Sequence, residues 1–500
     1  MFETSQIVTK ALVLAAGNGN RLMSDVPKPI FRLLGLPLLA RTLFTLEQAG
    51  ISDAYVVLGY EADRVRRGIE KISRLNIRVH WLHNDQWEQP NGLSVLRGES
   101  AIEEPFILAM ADHVFDPSVV SALKEHGCDS DGVNLAVDYD VASVSDLEEA
   151  TKVQVADGRI VAIGKSLKSY DAIDTGVFLA TPGLFEALKK ACANGRRTLS
   201  AGILELADSG LAMATDICGR TWHDIDTLED AKDAESKLIA NVRKPTDGPI
   251  SRYINRPVSI SLSRLLVRTP ITPNQVSVLG LIVGLGSAWF AAVGGYAPLL
   301  LSGLLFQLAS VLDGTDGEVA KFTFRTSVRG EWIDTICDQI SYFAFVVGLI
   351  IGVHRSGLPD FYFFWGVVGL VSASASMVAI SAYLIRAKTS GSALSVPYSF
   401  KSGTGLISRV LKVLQYLGKR DMFAFLAMLL AIVGQLPLAL PIVGIGATFI
   451  LLPATVAVNQ RPFRQRNADQ QPEMGLPMTT EDSSQAAECP SDPEAITVQP

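Results

Sequence analysis

The sequence predicts two domains of different class: an α/β domain on a Rossmann-like mixed sheet, followed by an all-α domain of six transmembrane helices. Three observations carry this expectation. Residues before about Lys244 mix charged and apolar types as a soluble α/β domain does, whereas those after Thr272 form mostly apolar segments of spanning length. Near the start, the apolar strand Ala11 to Ala15 runs into a glycine-rich turn and then a helix. Four aspartates sit where spans would begin and end. Asp313 and Asp316 are spaced i,i+3, and Asp334 and Asp338 i,i+4, so each pair falls on one face of its helix.

The N-terminus MFETSQIVTKALVLAAG has neither a basic start nor a cleavage site, so no signal peptide is expected and the first domain, 1–243, should stay in the cytoplasm. Its turn, Ala15-Ala16-Gly17-Asn18-Gly19, offers backbone N–H groups and a helix N-terminus to phosphates. Arg21 and Lys28 follow, the lysine fixed between Pro27 and Pro29. Asp112 ends the apolar strand of PFILAMADHVF, where ligands gather in open α/β sheets. His113 and His223 flank acidic positions and could orient them, but the six histidines show no ligand-like spacing. The five cysteines are scattered and ask for no oxidising compartment. The net charge of −7 is too unevenly spread to identify a partner, and no nucleic-acid partner is expected.

The segment 244–272 interleaves Arg252, Arg256, Arg264 and Arg268 with Ile254, Val258, Leu262, Leu265 and Leu266, a pattern suited to a helix lying in the headgroup layer. Pro249, Pro257, Pro270 and Pro273 should break any continuous helix there. Apolar segments follow at 276–293, 298–312, 336–353, 361–384, 422–433 and 436–456, the basis of the six-span expectation over 273–458. The loop from Arg386 to Arg420 and the run Arg461 to Arg466 are basic, while the opposite loops carry little or no charge. Positive residues stay inside, so both termini and the aspartates should face the cytoplasm of a multi-pass inner-membrane protein. The tail 459–500 has the acidic, Pro/Ser/Gln/Thr-rich composition of disorder.

Carboxylates beside apolar spans are costly unless paired or bound, so a functional role is the default. Hard divalent cations, Mg²⁺ above all and Mn²⁺ as an alternative, favour such oxygen ligands shared with phosphates. The spacing is Asp313, two residues, Asp316-Gly317, two residues, Ala320-Lys321, eight residues, Gly330, three residues, Asp334, three residues, Asp338. It resembles the signature of the CDP-alcohol phosphotransferase family, integral membrane enzymes that move a phosphoalcohol from a CDP-alcohol onto a second hydroxyl. Lys321 stands where the family usually has Arg, which keeps the charge and loses the bidentate fork. The resemblance implies that Asp313, Asp316, Asp334 and Asp338 hold metal, with Asp338 also the general base. It implies that Gly317, Ala320 and Gly330 let the CDP backbone approach, that Asn274 lies near the nucleotide, and that the domain dimerises in the bilayer.

LAAGNGNRLMSDVPKP resembles the opening signature of sugar-1-phosphate nucleotidyltransferases, with Asn20 where a small residue is common. That likeness makes the first domain a nucleotidyltransferase fold in which Ala15, Ala16, Gly17, Gly19, Arg21 and Lys28 hold the triphosphate of CTP. It also implies that Asn91, Gly92 and Ser94 read the pyrimidine, that Lys165, Thr175 and Gly176 hold the acceptor phosphate, and that Asp112 and Asp226 hold metal, with Asp224 the weaker candidate. Fusion of the two modules resembles the bifunctional inositol-1-phosphate cytidylyltransferase and di-myo-inositol-phosphate-phosphate synthase family. On that likeness CTP, a polyol phosphate and a CDP-alcohol are the substrates. A phospholipid synthase making its own headgroup donor, or a transporter with a nucleotide-sensing domain, are the alternatives.

Overall fold

The structure is a computed structural model and describes residues 8–22, 25–144, 146–243, 247–387, 420–452 and 455–456. Most of the basic loop between Arg386 and Arg420, the run Arg461 to Arg466 and the tail 459–500 lie outside the described residues. The chain forms two compact units, divided between Leu238 and Ile239.

The N-terminal unit is built on a nine-stranded mixed sheet. Its order is Arg78–His83, Asp53–Leu58, Lys10–Ala15, Phe106–Met110, Ala172–Ala180, Val133–Asp138, Ala212–Asp216, Arg159–Gly164 and Lys152–Ala156. The first four strands are parallel, as βαβ crossovers require, and Ala172–Ala180 joins antiparallel to Phe106–Met110. Strands buried on both faces read as apolar runs, so FILAM and ALVLA carry no alternation. Two apolar clusters fill the two faces, one around Val13, Leu43 and Val56, the other around Leu12, Phe106 and Phe178.

A short ribbon outside the main sheet matters most for the site. His113–Phe115 pairs antiparallel with Trp222–Asp224, setting His113 opposite Asp224, and Ile225 N donates to Asp112 O at 3.2 Å. Segments more than a hundred residues apart therefore converge at the C-terminal end of Phe106–Met110. Asp230 fixes the exit of this ribbon, its Oδ2 accepting from Thr227 N at 2.7 Å and Asp226 N at 3.1 Å.

The C-terminal unit is helical. Among the described residues four helices are long and apolar enough to cross a membrane: Pro273–Val293, Tyr296–Phe322, Val328–Arg355 and Asp360–Tyr383. Arg420–Ile432 and Leu436–Phe449, the regions of the last two expected spans, are shorter apolar helices. The second and third helices extend well beyond the expected apolar segments and carry the aspartate motif themselves. Only the connection 323–327 joins them, so both aspartate pairs come to the same end of the unit.

Pro257 does not break the helix ahead of the first span. A π-helical turn, Ser251–Asn255, runs directly into the α-helix Arg256–Leu266, and Pro257 sits in its first turn, where its missing N–H costs little. Asn255, Ser259 and Ser263 are buried here along with Ile260, while Tyr253, Val258 and Leu265 are exposed, so the buried face is mainly polar. The helix ends at Leu266, ahead of Pro270, and Thr272 then caps the next helix in a reciprocal capping box with Gln275, leaving Pro273 at its start.

Lipid offers no hydrophobic drive between apolar helices, so close packing must come from small residues. A Cβ at Gly348 or Gly352 would collide with the backbone carbonyls of Ala288 and Ala291. Substitution of Gly348 by Leu is therefore expected to separate these helices and abolish the monodisperse folded protein, whereas Gly446→Ala, where no atom lies within 4 Å, should leave it intact. Size-exclusion profiles in detergent distinguish the two.

Candidate active sites

In the N-terminal unit, the turn after Lys10–Ala15 opens into a cleft of ≈ 260 Å³ lined by Ala15, Gly17, Gly19, Arg21, Lys28, Asp112 and Asp226 among others. Gly19 has φ +62°, and a side chain there would strike the Lys28 stem, so the turn closes over the lysine only with glycine. Lys28 is 7% exposed and its Nζ donates to Asp112 Oδ2 at 2.6 Å and Asp226 Oδ1 at 2.7 Å, with Asp224 4.0 Å away. Burial disfavours its charge, but Asp112, Asp224 and Asp226 outweigh it and raise the pKa, so Lys28 is cationic.

The alternation continues outward. Arg21 Nη1 lies 3.0 Å from Asp226 Oδ2 and 3.2 Å from Glu149 Oε2, and Lys165 Nζ lies 3.0 Å from the same glutamate oxygen. Asp112, Lys28, Asp226, Arg21, Glu149 and Lys165 thus form one row of alternating charge. Nothing in local sequence singles out Glu149, because its role arises only when its loop folds across the cleft.

His113 is fixed by Nδ1 against Thr175 O at 2.6 Å, and its Nε2 lies 3.4 Å from Asp224 Oδ1. Burial works against its charged form, but Asp224, Asp112 and the Thr175 carbonyl raise its pKa. Asp112 is held below the carboxylate range despite burial by Lys28 and His113, whereas burial raises Asp224. Asp112, His113 and Asp224 each offer a ligand atom within 4.8 Å of the others, a donor set that suits a divalent cation. Asp226, expected at the metal, reaches Asp112 through Lys28. His223 points away from this group, and burial pushes it down to about 4.

Other expected site residues bond within the protein. Asn91 Oδ1 accepts from Leu199 N at 2.9 Å, Ser94 Oγ accepts from Asn84 Nδ2 at 2.9 Å, and Gly92 packs against the Arg197 carbonyl. These three are outside the residues lining the cleft. Thr175 Oγ1 donates to Ala136 O at 2.7 Å, and Gly176 packs on the His113 ring.

In the C-terminal unit, Asp313, Asp334 and Asp338 each offer a carboxylate oxygen within 4.8 Å of the others. Arg420 Nη1 lies 3.2 Å from Asp313 Oδ1 and also pairs with Asp338. Asp316 accepts from Ser277 Oγ. Asp334 Oδ1 is buried with no hydrogen-bond partner. Converging carboxylates with one acceptor left over fit a divalent cation, which takes such oxygens directly. Asn274 Oδ1 stands 3.4 Å from where a Cβ on Gly330 would be, across the helix start that Ser327 caps. Gly317 faces open space, with nothing within 4 Å of a built Cβ, and Lys321 is exposed on the same helix. Ser277 was legible only as a residue one turn beyond Asn274.

Residues 11–201 match the MobA-like NTP transferase domain family, and residues 270–458 match the CDP-alcohol phosphatidyltransferase family. A relative from Aquifex aeolicus, named bifunctional IPC transferase and DIPP synthase, is 33% identical over 86% of this chain and 93% of its own length. Proteins of the same name from Rubrobacter xylanophilus (38% identical, 68% of this chain, 77% of the relative) and Archaeoglobus fulgidus (32%, 86% and 79%) are also similar. The chain belongs to the family of bifunctional IPC transferases and DIPP synthases. Its two units are therefore a nucleotidyltransferase fold and a CDP-alcohol phosphotransferase domain, and the protein is a transferase in both. Among solved structures, the inositol-1-phosphate CTP transferase from T. maritima aligns over 46% of this chain and 96% of its own, with 29% identity and a TM-score of 0.42.

Two outcomes follow from the site geometry. Burial raises the Asp174 carboxyl to about 6 although Gly176 N donates to it at 2.7 Å. The folded state then holds a proton that the unfolded state releases near pH 4, so stability falls as pH rises from about 4 to about 6. Asp174→Asn should raise the melting temperature of the N-terminal unit at pH 8 and leave it unchanged near pH 4; equal melts at both pH values contradict this. Separately, Gly317→Ala should fold with parental stability, since nothing occupies the added methyl's position, yet lose CMP-releasing activity if a substrate backbone lies there. A fully active Ala variant rules out that approach.

Proposed function

We propose that the chain carries out two consecutive transfers. A phosphate oxygen of inositol 1-phosphate attacks the α-phosphorus of CTP, and the bond to the β-phosphate breaks, giving CDP-inositol and pyrophosphate. A hydroxyl of a second inositol 1-phosphate then attacks the phosphorus carrying inositol in CDP-inositol, and CMP leaves. The observation that supports this reading is the pair of separate carboxylate centres, each in its own compact unit of one chain. The first unit makes the donor that the second consumes.

Transfers of this kind need positioning and charge more than a covalent nucleophile. In the first step the Gly17 and Gly19 turn presents backbone N–H groups to the triphosphate. Lys28 stays charged among its aspartates and neutralises the phosphates, with Arg21 and Lys165 ready to exchange Glu149 for substrate oxygens. Asp112, His113, Asp224 and Asp226 surround the place for a cation. In the second step Asp313, Asp334 and Asp338, with Asp316 beside them, would hold metal, and Asp338 would also take the proton of the acceptor hydroxyl. A divalent cation, Mg²⁺ or Mn²⁺, supplies charge for the phosphate oxygens when bound. Ser277 orients Asp316, and Lys321 serves the diphosphate as a point charge.

On this reading the helical unit crosses the inner membrane six times, with Arg420–Ile432 and Leu436–Phe449 contributing the last two spans, and functions as a dimer in the bilayer. The aspartates open to the cytoplasm, where CDP-inositol is made.

Substitution separates the steps. Asp112→Asn should abolish pyrophosphate release from CTP and inositol 1-phosphate while leaving CMP release from supplied CDP-inositol, and Asp334→Asn should do the reverse. Folded protein that loses both activities from either change contradicts two independent sites. Mass analysis of the CDP-linked product from a panel of polyol phosphates decides the substrate, and a product other than CDP-inositol overturns that assignment.

A further inference from the structure

The helix Tyr296–Phe322 has a second buried acid that the transferase reading does not use. Glu318 follows Asp316 by two residues, about 200° around the helix, so the two face opposite ways. Glu318 is 0% exposed, and three donors hold it: Arg256 Nη1 at 2.8 Å and Ser259 Oγ at 2.6 Å on Oε1, and Ser263 Oγ at 2.7 Å on Oε2. Arg256 is gripped from its other side by Asp247, with Nε 3.0 Å and Nη2 3.4 Å from the carboxylate.

The contact runs along both helices. Ser263 Oγ also reaches Thr315 O at 3.3 Å, beside Asp316. Two turns earlier, Asn255 accepts from Gln307 Nε2 at 2.7 Å and donates to Ser310 Oγ at 3.3 Å. A polar seam therefore joins the helix ahead of the first span to the back of the helix carrying Asp313 and Asp316. No member of the seam belongs to the aspartate cluster.

A buried ion pair is a weak source of stability, because apolar residues of similar volume often replace it at no loss; its best-attested use is to fix register. Hydrogen bonds are directional, whereas the apolar faces of a span slide and rotate against lipid at little cost. We propose that Glu318 is a positioning residue: its bonds to Arg256, Ser259 and Ser263 set the rotation of Tyr296–Phe322 so that Asp313 and Asp316 meet Asp334 and Asp338. This rests on the reading of the cluster as the metal centre of the second transfer.

The test uses the full chain in detergent, with melting temperature followed as Mg²⁺ is added, and with kcat and KM for CMP release from CDP-inositol. Glu318→Leu should lower the metal-free melting temperature, and Arg256→Met combined with Glu318→Leu should restore it. Both should still need ~10–100-fold more Mg²⁺ for half of the stabilising shift, as loss of a supporting shell does elsewhere. Both should lose kcat more than KM, with pyrophosphate release unchanged. A double variant with parental melting temperature and parental Mg²⁺ half-saturation overturns the proposal, since the seam then serves stability alone. If Glu318→Leu does not fold, Ser263→Ala decides: a raised Mg²⁺ requirement supports positioning and an unchanged one refutes it. A parent stabilised by Mg²⁺ that releases no CMP refutes the functional reading, while the Mg²⁺ comparison still decides the role of Glu318. A parent whose melt ignores Mg²⁺ overturns both.

Discussion

Carboxylates gathered at one point repel each other, and each unit of this protein is organised around answering that repulsion. In the N-terminal unit the answer is internal: Lys28 lies between Asp112 and Asp226, and His113 stands against Asp224. Lys28 also lines the cleft, with Arg21 beside it, so the charge that holds the acids together is the charge the cleft presents. Glu149 extends the row, keeping Arg21 and Lys165 in place with a carboxylate where phosphate oxygens would bind. Exposed pairs of this kind contribute little to stability, so exchanging them for substrate costs little.

The helical unit answers differently. Arg420 reaches two of its four aspartates and Ser277 a third, and one oxygen of Asp334 remains buried without a partner. An unsatisfied buried acceptor is costly, and more so in surroundings of low dielectric. The cluster is thus incompletely compensated by protein groups, whereas the soluble site is nearly complete. This difference matches the scaffolds. Loops and strand ends can bring a lysine to an acid from any direction, while two neighbouring spans can contribute only residues spaced along their facing stripes.

Much of this organisation was legible because it is local. The aspartate pairs follow from helical spacing, and the glycine turn that closes over Lys28 follows from Gly17, Gly19 and the proline-flanked lysine. What stayed hidden depends on distant pairing. The register of His113–Phe115 with Trp222–Asp224 decides that Asp224 meets His113, and no spacing rule links residues so far apart. Spacing likewise did not show what Asn91 and Ser94 touch: Asn91 Oδ1 accepts from Leu199 N beside the Thr198 cap of Leu199–Asp208, and Ser94 Oγ accepts from Asn84. Pro257 misled for a different reason. Proline breaks helices in their interiors, but here the π turn before it changes the hydrogen-bond pattern, and the helix continues.

The arginine-and-leucine interleaving of residues 252–268 also reads differently once its partner is known. Its small polar residues Asn255, Ser259 and Ser263 face the protein together with Arg256 and Ile260, while Val258 and Leu265 stay exposed. In water that arrangement would be backwards. Against lipid such an arrangement would be economical, because apolar side chains gain nothing by leaving hydrocarbon, whereas serine, asparagine and the segment's one buried arginine, Arg256, gain hydrogen bonds by turning inward. The helix Tyr296–Phe322 consequently carries polar groups on two faces, the aspartates on one and Gln307, Ser310 and Glu318 on the other. A span with polar groups on both sides has few ways to rotate without burying one of them unpaired, and a carboxylate cluster assembled from the facing stripes of two helices depends on that restriction.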